Sequence, residues 1–285
     1  MTLIRIALAL IASLTLAAQT PKRIVSTAPG ITEILFALGL GDRVVGVTDY
    51  CRYPPEVKKL PKIGSWMTPN MEVILSLRPD LIVVQRTAVH DSSRFRAAKL
   101  RTLDVYLDRI PDIFSTIEAV GKTAGVPDRA RALTAQIRAG LKDIQSRVSS
   151  RPRTSLLFSV GRNAGSLDGL IAVGPQSYLS EIIDLAGGRN VLADSPVPYA
   201  KVVQEEIVAR NPEVIIDMGV HPDANGITPA QERSEIALWG KFPTVPAVRN
   251  HRVHIVASEI FVVPGPRVVE CARQIARFLH PELFR

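Results

Sequence analysis

The sequence predicts an α/β protein of two Rossmann-like lobes with parallel sheets, joined by a single long helix, with a ligand cleft between the lobes. Three observations carry this. Short β-branched runs alternate with helical apolar spacing through most of the chain. One long helical segment breaks the alternation near the middle, and a glutamate-headed helix stopped by proline occurs on each side of the break. At 285 residues the chain has room for two domains. The expected division is a leader over 1–18, a first lobe over 19–125, a connecting helix over 126–149 and a second lobe over 150–285.

The elements follow in order. "RIVST" (23–27) is a strand, and "ITEILFALGLG" (31–41) is a helix by the spacing of Ile31, Ile34, Leu35 and Leu38, closed by glycines. "RVVGV" (43–47) is a strand; a helix over about 69–77 leads to the strand "LIVV" (81–84). "SSRFRAAKLRTL" (92–103) reads as a helix and "VYLD" (105–108) as a strand. In "VPDRARALTAQIRAGLKDIQSRV" (126–148), Leu133, Ile137, Leu141, Ile144 and Val148 fall on one helical stripe. Pro127 suits the first helical position and Asp128 its dipole. Its ~22 residues span ~33 Å, enough to join two lobes. Beyond it come a strand (154–160), a helix (176–188), a helix-Pro-strand unit (203–217), a strand (252–256) and a closing amphipathic helix (267–279).

The two halves run in parallel. "TEILFALGLGDRVVGV" (32–47) resembles "SEIIDLAGGRNVL" (180–192). Glu72 ahead of Pro79 is matched by Glu205 ahead of Pro212, both at a step of 133. Two matches in one order point to duplicated lobes. A crevice between such lobes, at the carboxyl ends of the strands, is a natural ligand site.

Composition narrows the function classes. Residues 1–18 carry Arg5, an uncharged run from Ile6 to Ala18 and small residues at its end, which reads as a secretory signal peptide cleaved near Ala17 or Ala18. The run is shorter than the ~20 residues a spanning helix needs, though an N-terminal anchor is the competing reading. No cysteine lies near the cleavage point, so an unlipidated periplasmic protein is expected. The formal charge of +8 comes from scattered Lys and Arg with few aromatics, which argues against nucleic acid. Cys51 and Cys271, far apart and outside any CxxC, are expected as buried or half-buried free thiols.

Chemistry with sharp motifs is missing. "GLGDRVVG" is not GxGxxG and follows a helix, and there is neither a phosphate-binding GxxxxGK[ST] nor a GxSxG. The five histidines are His90, His221, His251, His254 and His280. A metal site would need His90, His221 and one more to converge, and "HRVH" in a strand sends its rings to opposite faces. More informative is the Pro-rich "TDYCRYPPEVKKLPKIGSWMTPN" (48–70), which leaves a strand's carboxyl end carrying Tyr50, Tyr53 and Trp66. Trp66 either caps the core under the loop or forms a wall for a large, flat, apolar ligand. In the second half, "SPVPYAK" (195–201) places Tyr199 just before the repeated glutamate.

The stretch from "RIVSTAPGITEILFALG" through "YPPE" and "GSW" to "NMEVILSLRPDLIVV" resembles the class III, helical-backbone periplasmic substrate-binding proteins of ABC importers, and the resemblance extends over roughly 22–285. It is greatest to the corrinoid-binding members. It implies a monomer that captures a cobalamin-like corrinoid between its lobes and hands it to a permease dimer, without a cofactor or catalytic residues. By motif position, Tyr50, Trp66, Gln85, Tyr199, Glu259 and Phe261 correspond to ligand-binding residues, and Glu72 and Glu205 to the carboxylates that dock on the permease. A first-turn glutamate is also a local helix stabiliser worth ~0.3–1 kcal/mol. The chain departs from the family where Gln85-Arg86 replaces an aromatic after the strand, where "SEIFVVPGPR" (258–267) lacks an acid-x-x-x-Arg pattern, and near Ala186, where a disulfide partner for Cys271 is missing. Two alternatives follow: a ferric siderophore or haem held by Arg86 and Arg162, or an oxidoreductase or metal-dependent enzyme on the same α/β layers.

Overall fold

A computed structural model describes residues 20–87, 91–219 and 226–284. The leader, His90 and His221 lie outside the described residues. The first sheet has strands β1 (Ile24–Ser26), β2 (Val44–Val47), β3 (Leu81–Gln85) and β4 (Thr102–Val105) in the order β2-β1-β3-β4, all parallel. The second has β5 (Thr154–Gly161), β6 (Ile171–Val173), β7 (Gly188–Asn190), β8 (Tyr199–Lys201), β9 (Val214–Asp217) and β10 (Val253–Ile255). Its path is β10-β9-β5-β6-β8, with β7 also paired to β5. The expectation of parallel sheets holds for the first lobe and is corrected in the second. There β5 turns back antiparallel into β6, and β6 into β8, so this sheet is mixed.

Between the sheets in the chain lies the helix Pro127–Val148, whose buried residues include Ile137, Leu141, Ile144 and Val148. It packs on the helix Ile110–Thr123 before it and on the helices Tyr178–Leu185 and Val268–Leu279 after it. One hydrophobic cluster consequently runs from Ile24 and Leu81 in the first lobe to Phe158 and Ile216 in the second. Buried, near-continuous strands such as "LIVV" are what parallel sheets covered on both faces require.

Two elements differ from expectation in ways that matter for the site. The helix expected over 92–103 spans only Ser93–Ala97. Lys99 takes a left-handed φ of 59°, which ends it. The strand then falls at Thr102–Val105, not 105–108, because Ile82 to Gln85 of β3 pair with Thr102 to Val105. Tyr106, Leu107 and Asp108 are therefore released into a loop at the carboxyl end of β4. The helices Ile110–Thr123 and Pro229–Trp239 have no counterpart among the elements the sequence predicts. Pro111 and Pro229 look like breakers in the sequence, yet each stands in a first helical turn, where the lost N–H costs nothing.

Candidate functional site

A cleft of about 890 Å³ lies where the carboxyl ends of both sheets face each other. From the first lobe it is lined by Ala28, Pro29 and Gly30 after β1, by Tyr50, Arg52 and Trp66 in the Pro-rich loop after β2, and by Gln85 and Thr87 after β3. The second lobe contributes Val160 to Arg162 at the end of β5, Met218 and Gly219 after β9, and the segment after β10. Strand ends supply the lining because each parallel strand must leave the sheet there, and its loop is free of packing. Gly30 is required by a close approach across the lobes: a Cβ there would lie 2.1 Å from the Pro264 carbonyl oxygen.

The expected ligand residues separate on inspection. Tyr50, which is 53% exposed, and the half-buried Trp66 both line the cleft, as do Gln85 and Glu259. Phe261 does not. The turn Glu259–Phe261 sends its ring inward, where it is 1% exposed and meets Phe158 edge-on at 5.7 Å. Phe261 is a core residue, and Val262, 44% exposed, takes the place on the wall. Tyr199 lines a smaller cavity of about 380 Å³ that shares Gln85, Val262 and Pro264 with the cleft. Partial burial, and then the nearby Asp108 carboxylate, push its phenol up to about 12.

The charges lining the cleft are largely consumed by internal partners. Arg162 Nε donates to Asp217 Oδ2 at 2.9 Å, its NH2 to Glu235, and its NH1 to the Ser166 carbonyl at 2.8 Å. Trp239 Nε1 donates to the same Asp217 oxygen at 2.9 Å. Burial opposes the Arg162 charge, but Asp217 and Glu235 outweigh it and hold its pKa above the usual range. The side chain is 0% exposed, so what Arg162 shows the cleft is main chain. Arg86 is exposed and is not part of the lining. Glu259 is also engaged. Arg267 forms a two-pronged pair with Glu33 and reaches Glu259 at 2.9 Å, while its guanidinium lies 4.0 Å over the Tyr53 ring. The acid and arginine, eight positions apart rather than four, find each other through this fold and tie the second lobe to Glu33 of the first.

The paired glutamates sit at the head of short helices, Met71–Ser76 and Gln204–Arg210. In the first, the Asn70 side chain accepts from the backbone N–H groups of Glu72 and Val73, both at 3.1 Å. The second has no side-chain cap and ends on Asn211 in the left-handed region. Glu72 and Glu205 are both exposed, and among the described residues neither carboxylate has an ion-pair partner. The adjacent Glu206, by contrast, pairs with Arg210 at 3.1 Å. Leu75 and Val208, again 133 apart, are 49% and 43% exposed one turn beyond the glutamates.

Remaining residues follow their chemistry. Cys51 and Cys271 are free, and burial raises both thiol pKa values. His254 stacks on Phe278 with ring centres 4.3 Å apart, and His251 lies in the turn before β10. Among the described residues no cluster of His, Cys, Asp and Glu has metal-ligand geometry, and no helix is long and apolar enough to cross a membrane. Sequence reasoning missed Arg52, Met218, Val263 and Pro264. Taking the residue just after each strand would have found Met218; the other three depend on loop paths.

Two α/β lobes around a preformed, aromatic-walled cleft define a two-lobed ligand-binding protein. The periplasmic binding protein family matches residues 24–259, and the chain belongs to it. Among curated relatives, an uncharacterized ABC transporter substrate-binding lipoprotein of Bacillus subtilis, YvrC, is 29% identical, covering 94% of this chain and 82% of that protein. A vitamin B12-binding protein of Yersinia pestis is 30% identical, covering 95% and 91%. Among solved structures, the periplasmic vitamin B12 binding protein BtuF of Vibrio cholerae aligns with a TM-score of 0.76 at 27% identity over 91% of this chain and 97% of that one. The periplasmic heme-binding protein RhuT from Roseiflexus aligns with a TM-score of 0.75 at 26% identity, over 91% and 98%.

Proposed function

We propose that this protein captures a cobalamin-like corrinoid in the cleft and delivers it to an ABC permease dimer. The observation that carries this is the wall of Tyr50 and Trp66 beside a second-lobe surface of main chain and Val262, whose Arg162 is sealed away from the ligand. Stacking and apolar contact suit a large macrocycle whose periphery is uncharged. Similarity to vitamin B12-binding relatives supports the same ligand. The ligand is cargo, and the reading needs no resident cofactor and no catalytic residue.

Haem or a ferric siderophore is the second reading. Arg52, the cleft's half-buried cation, and the similarity to a heme-binding structure favour it. Arg86 and Arg162 do not, for the reasons of placement given above. The deciding experiment titrates the purified protein with cyanocobalamin, dicyanocobinamide, haemin and ferric siderophores. Micromolar or tighter binding of the corrinoids alone is expected, and haemin binding without corrinoid binding would replace this reading with the second.

Delivery rests on Glu72 and Glu205, exposed on matching helices and without an ion-pair partner among the described residues. Each has an apolar residue beside it, Leu75 or Val208, which fits a permease surface carrying two cationic sites. Reversing both glutamates to lysine should abolish uptake in cells while leaving ligand affinity unchanged. A fall in affinity would assign them to the site instead. Residues 1–18 act in this reading as a cleaved, unlipidated leader that places a monomer in the periplasm.

A further inference from the structure

The displacement of Tyr199 from the main cleft raises the question of what its own cavity holds. That cavity lies beside the cleft, shares Gln85 and Val262 with it, and is lined further by Leu107, Asp108, Gln176 and Tyr199. Among the described residues lining it, Asp108 alone is charged. Its backbone is fixed, because its carbonyl accepts from the Tyr178 N–H at 2.8 Å. The neighbouring cation is committed elsewhere: Arg109 pairs with Glu181, whose other oxygen accepts from the Ile110 N–H at 2.7 Å. The Asp108 side chain is left with no ion-pair partner among the described residues. Asp108 is exposed at the cavity's edge; partial burial, and then the charge of Asp112, raise its pKa.

We infer that this side cavity is a second compartment of the binding site, and that Asp108 there accepts from a hydrogen-bond-donating substituent of the ligand, a primary carboxamide or an ammonium group. An ionised carboxylate is acceptor-only, so a donor entering the cavity gains a charge-assisted bond, while a ligand carboxylate at the same place meets a like charge. Gln85 and Gln176 add amides that read the same group. The inference rests on the corrinoid reading, since the corrin periphery carries carboxamides in the completed cofactor and carboxylates in its early acid forms. It makes Asp108 a specificity residue that separates the two.

Two probes test it: dicyanocobinamide, with peripheral carboxamides, and dicyanocobyrinic acid, with carboxylates at those places. Wild type is expected to prefer cobinamide. Asp108→Asn should narrow that preference about fivefold or more, by weakening cobinamide and tightening the acid. Asp42→Asn, a charge-matched change on an exposed turn outside the cavity, should leave the preference unaltered. Tyr178 is held by the Asp108 main chain, so Asp108→Asn keeps the fold. If Asp108→Asn binds both probes with the wild-type preference, the compartment is not read by Asp108 and the inference is overturned. If wild type binds neither probe, the corrinoid reading itself falls, and this inference with it.

Discussion

The two walls of the cleft are built on opposite principles. The first lobe offers side chains, with Tyr50 and Trp66 standing out from a Pro-rich loop. The second offers shape. Arg162, Asp217 and Glu235 are turned inward and tied to each other and to Trp239, and Glu259 is held by Arg267, so mainly backbone and aliphatic groups face the ligand. A buried ionic network often does little for stability compared with apolar packing, but breaking one partner out of it is costly. Substitutions in the second wall should therefore register as lost stability, and substitutions in the first as lost affinity.

The largest effect should come from Arg162→Ala. It removes the guanidinium paired with the fully buried Asp217 carboxylate in the second lobe, and an unfolding free energy lower by about 3–5 kcal/mol is expected in urea denaturation. A loss below about 1 kcal/mol would mean that water already solvates the pair and that the wall is not preorganised by it. Gly30→Ala comes next. Its methyl would meet the Pro264 carbonyl across the lobes with backbone on both sides, so one lobe must move. A cost of about 1–3 kcal/mol is expected, together with weaker binding, because the same contact sets the width of the cleft. Tyr50→Ala and Trp66→Ala reverse the balance. Each should weaken ligand binding about tenfold, the usual worth of an aromatic stacking contact, while thermal unfolding of Tyr50→Ala stays at the wild-type temperature. Affinity left intact in both would place the ligand against the second wall alone.

The same contrast explains what could be read from the sequence. Periodicity disclosed β1 to β3 of the first sheet and the helix Pro127–Val148, because those features are local, and the 133-residue step disclosed the paired glutamates. Tyr50 and Trp66 were legible because exposed aromatics in a long loop are unusual. The inward network was not. Arg162, Asp217, Glu235 and Trp239 come from three separate segments, and the sequence left Arg162 as a cleft cation until its partners were in view. Phe261 misled for the converse reason: a single turn decides whether position 261 or 262 faces the ligand. Asp108 was hidden by a three-residue error in β4, which put it inside a strand and not in the loop that reaches the side cavity.

The smallest expected effect lies away from both walls and separates stability from binding most cleanly. His254 on β10 stacks on Phe278, and burial, then the adjacent Arg252 charge, lower its pKa from 6.5 to about 4. The unfolded chain therefore takes up a proton between pH 6.5 and about 4 that the folded protein refuses. Stability supplied by the neutral ring is complete above 6.5, falls as the pH drops through that interval, and is flat below it. His254→Phe keeps an aromatic on Phe278 and removes the titration. Its unfolding temperature should fall less steeply than that of wild type between pH 6.5 and 4. Glu33 and Asp108, whose pKa values are raised in both proteins, cancel in the difference. His254 does not line the cleft, so although β10 leads into Ser258 and Glu259 of the second wall, ligand affinity in His254→Phe at neutral pH should match wild type. Parallel pH profiles for the two proteins would show that His254 is protonated in the fold, and an affinity change would show that the second wall depends on β10 as well as on its buried charges.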